Sequence, residues 1–225
     1  DPDSASVYPI ILGLVDSKSP ISMKTLESME LLWNQRWTTG GYARYNVTSE
    51  PDSPGSWPFA TMLIVRAYYE SGNDEKVWRS LDWLLKAPGG KPGAWFECHA
   101  DRPVPPLPPL GIVPWTWAEI VMFFVHHLLG VRPSRNELVV RPRLLKGMDN
   151  VKATLLLRGQ TIDIALGRAE KEPVAIVNGK PVPVKMVNGY AAIRRTWKAG
   201  DRVDLQLPMQ VQTVTADNHI VADRG

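Results

Sequence analysis

The stretch HHLLGVRPSRNELVV, residues 126–140, marks the point at which the sequence changes from one kind of structure to another. Before it, apolar residues recur every three or four positions, as in TLESMELLW at 25–33, which predicts amphipathic helices. After it, apolar and polar residues alternate, as in TIDIAL at 161–166, which predicts strands. The sequence therefore predicts an α+β chain of two domains, with a boundary between residues 1–132 and 133–225.

About five helices are predicted before this boundary, and they pair as antiparallel hairpins. Ser19-Pro20 supplies an N-cap and a first-turn proline for a helix that runs to about Arg36. Gly72 ends a helix that begins near Ser56, and Asn73 or Asp74 caps the next one. A short apolar helix before Val15 and a helix from Pro114 to about Leu129 complete the set.

Strands and tight turns alternate after the boundary. The dipeptides Asn178-Gly179 and Asn188-Gly189 are typical of two-residue hairpin turns, because both residues accept a positive φ. The second half is therefore predicted to be a mainly antiparallel β-sandwich.

Charge and composition also divide the chain. Residues 1–132 carry 11 of the 26 Lys and Arg against 14 of the 23 Asp and Glu, so residues 133–225 carry 15 against 9. The excess of basic residues in the second half is spread along the predicted strands rather than clustered, which argues against a nucleic-acid partner. No stretch of 18 apolar residues predicts a membrane span.

Several classes of site are excluded by motif. The single cysteine, Cys98, rules out an intrachain disulfide and makes a zinc site a weak prediction, so no metal or organic cofactor is expected. Walker, dinucleotide-binding, nucleophile-elbow and His-Glu-x-x-His motifs do not occur. The N-terminus has no signal peptide and no initiating Met, so we expect a piece of a longer protein whose compartment the sequence leaves open.

The stretch GAWFEC, residues 93–98, carries the main candidate for catalysis. It places Glu97 among aromatic residues on a Gly- and Pro-rich loop, and carboxylates move the proton at a glycosidic bond while flat aromatic faces stack on sugars. Trp95, Trp115 and Trp117 are therefore predicted to form a sugar platform. The alternative is an ordinary exposed glutamate among core tryptophans.

A second polar and aromatic cluster lies in the loop between residues 42 and 57. Arg44 and Asp52 are predicted to contact sugar hydroxyls, and Trp57 is predicted to bind substrate. The alternative for Asp52 is a role in shaping the turn at Pro54-Gly55.

Two parts of the chain resemble known families. The motifs Gly40-Gly41-Tyr42, SWPFAT at 56–61, Trp95-Phe96-Glu97 and residues 115–133 resemble the end of a six-hairpin (α/α)6-barrel glycosidase, and the α-L-rhamnosidase-like glycoside hydrolases in particular. The resemblance implies that Glu97 is a general base, although Phe96 separates Trp95 from Glu97 here whereas the family has a Trp-Glu pair.

Residues 177–209, with Val177-Asn178-Gly179-Lys180-Pro181 and Arg195-Thr196-Trp197, are similar to the C-terminal β-sandwich of β-L-arabinofuranosidases. That family uses a cysteine nucleophile in a cysteine-rich zinc site, and Glu97-Cys98-His99 does not reproduce it. The resemblance therefore implies the sandwich and not the chemistry.

Together the resemblances imply the C-terminal part of an inverting glycosidase: a partial (α/α)6 toroid followed by a β-sandwich, acting on rhamnoside- or arabinofuranoside-type glycans of plants or bacteria. A closed (α/α)6 barrel needs twelve helices, so an N-terminal segment or another chain is expected to complete the barrel and supply the general acid. The alternative is a non-catalytic module that binds carbohydrate or docks between domains.

Overall fold

A computed structural model describes most of the helical half of the chain and the strand segments of the second half. The described residues are 2–35, 39–46, 55–99, 111–133, 138–157, 160–169, 174–177, 180–183, 185–187, 190–192 and 202–208. The chain forms two compact units, one of Asp1–Ser134 with Leu138–Lys146 and the other of Arg135–Glu137 with Gly147–Gly225.

Helices make up most of the first unit. The described residues contain five α-helices, which confirms the predicted number and the mixed α+β class. They are α1 (Tyr8–Ile11), α2 (Pro20–Met29), α3 (Pro58–Ser71), α4 (Asp74–Lys86) and α5 (Pro114–Val121). Short 3-10 turns precede α1 at Ser4–Val7 and extend α2 at Glu30–Leu32, and a π-helical segment, Met122–Leu128, continues α5.

Local signals in the sequence explain where these helices begin and end. The Ser19 side chain accepts a hydrogen bond from the Ser22 backbone N–H at 3.3 Å, and Pro20 occupies the first turn of α2. Gly72 ends α3 with a φ of 86°, a conformation that costs glycine little. The Asn73 side chain then caps α4 by accepting from the Lys76 N–H at 3.2 Å.

Helix α3 is the centre of this unit. All residues from Ala60 to Tyr69 are buried, because α1, α2, α4 and α5 all pack on it. An apolar sequence on every side of a helix is typical of one that is covered by neighbours all round.

A two-stranded antiparallel sheet follows the helices. Strand β1 (Val131–Pro133) pairs with β2 (Leu138–Val140), with Val131 opposite Val140. Leu144 and Leu145 are buried, and the Tyr69 hydroxyl donates to the Arg143 carbonyl at 2.7 Å. Residues 138–146 thus pack with the helices, whereas the sequence analysis assigns them to the second domain. The domain boundary between residues 132 and 133 stays a prediction.

The second unit consists of seven described strands. They are β3 (Asn150–Leu157), β4 (Gln160–Ala169), β5 (Val174–Val177), β6 (Lys180–Val182), β7 (Lys185–Val187), β8 (Tyr190–Ala192) and β9 (Arg202–Pro208). Five of them form one sheet in the order β3-β4-β9-β5-β6, and β7 pairs with β8 alone.

One pair of strands in this sheet is parallel, within the mainly antiparallel pattern that the sequence predicts. Strand β9 runs parallel to β4, with Ile164 opposite Val203, and antiparallel to β5, with Ile176 opposite Asp204. The strands on either side of each Asn-Gly dipeptide in the sequence, β5 with β6 and β7 with β8, pair antiparallel. The dipeptides themselves, at 178–179 and 188–189, lie outside the described residues. A sandwich of two packed sheets stays a prediction.

Candidate functional site

The long connections that precede α3 and α5 meet at one segment, residues 96–99. Ser56, two residues before α3, pairs with His99 through two backbone hydrogen bonds of 2.8 Å. Ile112, two residues before α5, forms a bridge with Phe96. The N-terminal ends of α3 and α5 therefore lie at the same end of the helical unit, and Glu97 lies at that end.

Glu97 is half-buried between these two bridges. Its neighbour Cys98 is held against Gly55, where a Cβ atom would lie 1.9 Å from the Cys98 sulfur. Only glycine fits at position 55 without displacing the sulfur. The bridges of Phe96 and His99 and the contact of Cys98 with Gly55 thus hold the backbone on both sides of Glu97. A catalytic carboxylate requires such a fixed position.

Two indole N–H groups hold the same loop against two different helices. Trp95 is buried, and its Nε1 donates to the Leu84 carbonyl at 2.7 Å. Trp117 is 43% exposed, and its Nε1 donates to the Gly93 carbonyl at 2.6 Å. Trp95 therefore anchors the loop to the end of α4, and Trp117 anchors it to the first turn of α5.

The other predicted sugar-binding residues differ in how much of each side chain is exposed to solvent. Trp115 is 42% exposed and can offer a face to a ligand, whereas Trp57 is only 5% exposed. Arg44 is exposed, and its guanidinium carbon lies 5.5 Å from the Trp57 ring centre and 5.4 Å from the Tyr45 ring centre. Asp52 lies outside the described residues.

Two buried polar atoms near this end have no hydrogen-bond partner among the described residues. They are Nε2 of His99 and Oγ1 of Thr116, in the first turn of α5. Burial lowers the pKa of His99, and a hydrogen bond to the Phe96 backbone partly opposes this. A neutral imidazole and a hydroxyl are both able to bind a sugar hydroxyl or a water molecule.

A second polar cluster links α3 to α5 and its π-helical continuation. Arg66 donates to Glu119 at 2.6 Å and to Nε2 of His127 at 2.9 Å, and all three residues are buried. Since arginine only donates, His127 carries its proton on Nδ1 and donates it to Glu70, at 2.5 Å. Arg132 also donates to Glu70, at 2.8 Å.

This arrangement keeps His127 neutral and Glu70 ionised. Burial lowers the pKa of His127, and the charge of Arg66 adds to that effect, while Glu70 opposes it. Burial alone would raise the pKa of Glu70, but the hydrogen bond from His127 and the charge of Arg132 outweigh it and lower the pKa. A charged residue in the apolar run FATMLIVRAYY, 59–69, was the one sequence signal for a buried ion pair.

A third cluster surrounds Glu30, at the end of α2. Its carboxylate accepts hydrogen bonds from Tyr42 at 2.6 Å, Tyr68 at 2.7 Å, Arg79 at 2.9 Å and Lys76 at 2.5 Å. Burial alone would raise its pKa, but these four donors lower it to about 2. Because Glu30 follows α2, Tyr68 lies in α3, and Lys76 and Arg79 lie in α4, this cluster is a structural link between α2, α3 and α4.

Neither a metal site nor a membrane span is found in the described part of the chain. No group of three or more His, Cys, Asp or Glu among the described residues could hold a metal ion. None of the described helices combines the length and the apolar character needed to cross a membrane.

Comparison with known proteins bears on the second unit. Residues 145–209 match the family model described as beta-L-arabinofuranosidase, GH127 middle domain. The match supports a glycoside hydrolase family. It covers less than a third of the chain and does not include residues 40–133, so the rhamnosidase-like resemblance of the helices stays a prediction. No curated protein matches the chain.

Proposed function

We propose that this chain is part of a glycoside hydrolase that cleaves arabinofuranoside- or rhamnoside-type bonds with inversion, and that Glu97 is its general base. The observation that carries the proposal is the match of residues 145–209 to a β-L-arabinofuranosidase domain. The placement of Glu97 in a firmly held loop, where the connections to α3 and α5 meet, supports it from the helical side.

In the proposed mechanism, ionised Glu97 accepts a proton from a water molecule as that water attacks the anomeric carbon. A carboxylic acid on the other side of the sugar protonates the leaving oxygen. In inverting enzymes the two carboxyl groups lie roughly 6.5–9.5 Å apart, which leaves room for the water. We propose that a segment or chain outside these 225 residues supplies the acid. The loop of residues 89–99 contains no carboxylate other than Glu97.

The substrate contacts are assigned by exposure. Trp115 and Trp117 are about two-fifths exposed and would stack on the sugar, and Arg44 would bind its hydroxyls. Asp52 is kept as a further hydroxyl contact. Trp57 and Trp95 are buried, so in this proposal they support the loops rather than the sugar.

A panel of aryl α-L-rhamnosides and α- and β-L-arabinofuranosides tests the proposal. The native protein, with whatever segment completes it, is expected to hydrolyse at least one of them, and Glu97→Gln is expected to remove that activity. Glu75→Gln, an exposed position in the first turn of α4, is the matched control. Loss of activity in both variants, or in neither, contradicts the role of Glu97.

The alternative is a non-catalytic module that binds carbohydrate or docks onto another domain. The exposed indoles of Trp115 and Trp117 favour it, because a binding platform needs no second carboxylate. Glycan-array binding separates the two functions. A binding module keeps its affinity in Glu97→Gln and loses it in Trp115→Ala, and it turns over no glycoside.

A further inference from the structure

The π-helical segment Met122–Leu128 has a hydrogen-bond pattern that requires a cause. The Leu129 N–H donates to the Phe124 carbonyl, five residues earlier, at 2.8 Å, whereas an α-helix joins residues four apart. Such segments are rare and occur mostly as single turns inside α-helices, frequently at functional sites. Contacts elsewhere in the fold must therefore hold this segment in the less common of two hydrogen-bond registers.

Helix α3 supplies these contacts, through three residues spaced four apart. Glu119 accepts a hydrogen bond from Arg66 at 2.6 Å, and His127 accepts another from Arg66 at 2.9 Å. Between them, the Phe123 ring lies edge-on to the Tyr69 ring, with centres 5.7 Å apart. In an α-helix each step of four residues turns about 40° past a full turn, so His127 would point about 80° away from Glu119. A π turn contains more residues, which reduces this drift and keeps His127 facing α3.

His127 holds the segment to α3 through both nitrogens of its ring. Its Nε2 accepts from Arg66, and its Nδ1 donates to Glu70 at 2.5 Å. Because arginine has no acceptor, the first bond forms only while Nε2 carries no proton. A second proton on the ring would place two donors against each other and break that bond.

The charges around His127 are balanced while its ring is neutral. Helices α3 and α5 and strand β1 pack against the segment. The charged side chains of these three elements are Arg66, Glu70, Glu119 and Arg132. Two arginines and two glutamates cancel, so a charged His127 adds an unmatched positive charge at a side chain that is 2% exposed. Burial and the charge of Arg66 accordingly lower the pKa of His127, although Glu70 opposes them.

We propose that the π-helical segment is a proton-operated switch between two hydrogen-bond registers. At neutral pH the uncharged ring of His127 binds Arg66 and holds the π register. When Nε2 takes up a proton at lower pH, Arg66 releases the ring and the segment adopts the α-helical register. The Leu129 N–H then donates to the carbonyl of Val125, four residues earlier, instead of to that of Phe124.

The change is confined to the end of the helix that leads to β1. Arg66 keeps its bond to Glu119 through Nη1, so the first turns of α5, with their exposed tryptophans, stay in place. At the other end, Arg132 of β1 donates to the His126 carbonyl at 3.1 Å, and a change of register moves that acceptor. The switch therefore alters how the chain leaves the helices, and it does not depend on glycosidase activity.

Nuclear magnetic resonance of the isotope-labelled chain tests the switch without any substitution. Correlations within the imidazole ring report which nitrogens carry protons, and the coupling across the hydrogen bond of Leu129 identifies its acceptor. Between about pH 7.5 and about pH 5, we expect His127 to gain its second proton while far-UV circular dichroism shows that the chain stays folded. Over the same range, the Leu129 coupling is expected to move from the Phe124 carbonyl to the Val125 carbonyl.

His127→Gln separates the effect of the proton from that of the contacts. The glutamine amide can accept from Arg66 and donate to Glu70 but does not titrate, so Leu129 is expected to stay coupled to Phe124 throughout. His126→Gln, at the neighbouring half-buried ring, is the matched control and is expected to keep the wild-type switch. The proposal is overturned if the wild-type ring of His127 stays neutral until the chain unfolds, or if the Leu129 coupling stays at Phe124 after the ring is charged. An unchanged switch in His127→Gln would also overturn it.

Discussion

Arg66 and Glu119 show at the scale of single residues how this fold tolerates charge in its interior. Their atoms lie 2.6 Å apart, with side chains only 5% and 11% exposed. Replacing Glu119 with Gln removes the counterion of a buried guanidinium, which costs about 3 kcal/mol of unfolding free energy. Urea denaturation followed by circular dichroism measures this loss.

Asp82→Asn is the control for that measurement. Asp82 pairs with Lys86 at 2.7 Å, but both side chains are largely exposed, so the pair contributes about 0.5 kcal/mol or less. Equal losses in the two variants would show that the Arg66–Glu119 pair is not buried as described.

His127 makes stability depend on pH in a defined direction. Its pKa is lowered in the folded protein, because burial and Arg66 disfavour the charged ring, while the unfolded value is about 6.5. Its contribution is therefore present above pH 6.5 and is lost as the pH falls through the folded pKa. Glu70, whose pKa is also lowered, loses its contribution in the same direction at lower pH.

We expect the unfolding free energy to fall between pH 7 and pH 5, with a slope of up to about 1.4 kcal/mol per pH unit for each histidine that titrates this way. Burial also lowers the pKa of His99 and His126, so His127→Gln should flatten the slope without abolishing it. Chemical denaturation at a series of pH values gives the slope. An unchanged slope in His127→Gln would contradict the neutral state of this ring.

The sequence indicates candidate residues for the site but does not specify which of them are buried. An aromatic next to Gly and Pro on a loop can stack on a ligand or anchor the loop, and burial decides between these roles. Trp95 and Trp57 are buried, whereas Trp115 is exposed. Burial depends on contacts distant in sequence, such as the bond from Trp95 to Leu84, so local composition could not separate them.

At the scale of elements, the loop from residue 89 to residue 99 depends on the anchor from Trp117. Trp117→Phe keeps an aromatic ring but removes the N–H that donates to Gly93. We expect the backbone amides of residues 94–99 to exchange with deuterium several times faster in this variant. Trp115→Phe, at an equally exposed position of the same helix turn, should leave the exchange unchanged.

The helices were predictable from the sequence because their ends carry local signals. The order of the strands in the sheet was less predictable. Ser19, Gly72 and Asn73 each act within three residues of themselves, and the structure places the helix ends beside them. The parallel pairing of β9 with β4 joins residues about forty positions apart in sequence, and β9 lies between β4 and β5. Alternation of apolar residues identifies strands without specifying their neighbours.

At the scale of the whole molecule, the family match and the proposed catalytic base lie in different parts of the chain. The family match lies at residues 145–209, whereas the proposed base lies in the helical unit at Glu97. The proposal of a glycosidase therefore requires that the helical unit, and not only the strands, takes part in cleavage. In this proposal the catalytic base is Glu97.

The turnover number of Glu97→Gln, on a glycoside that the native protein hydrolyses, tests the role of Glu97 as the base. General base catalysis contributes about 10²- to 10⁴-fold to a rate, so we predict a fall in kcat within that range or larger, with substrate still bound. A kcat close to that of the native protein would contradict the assignment of Glu97 as the base.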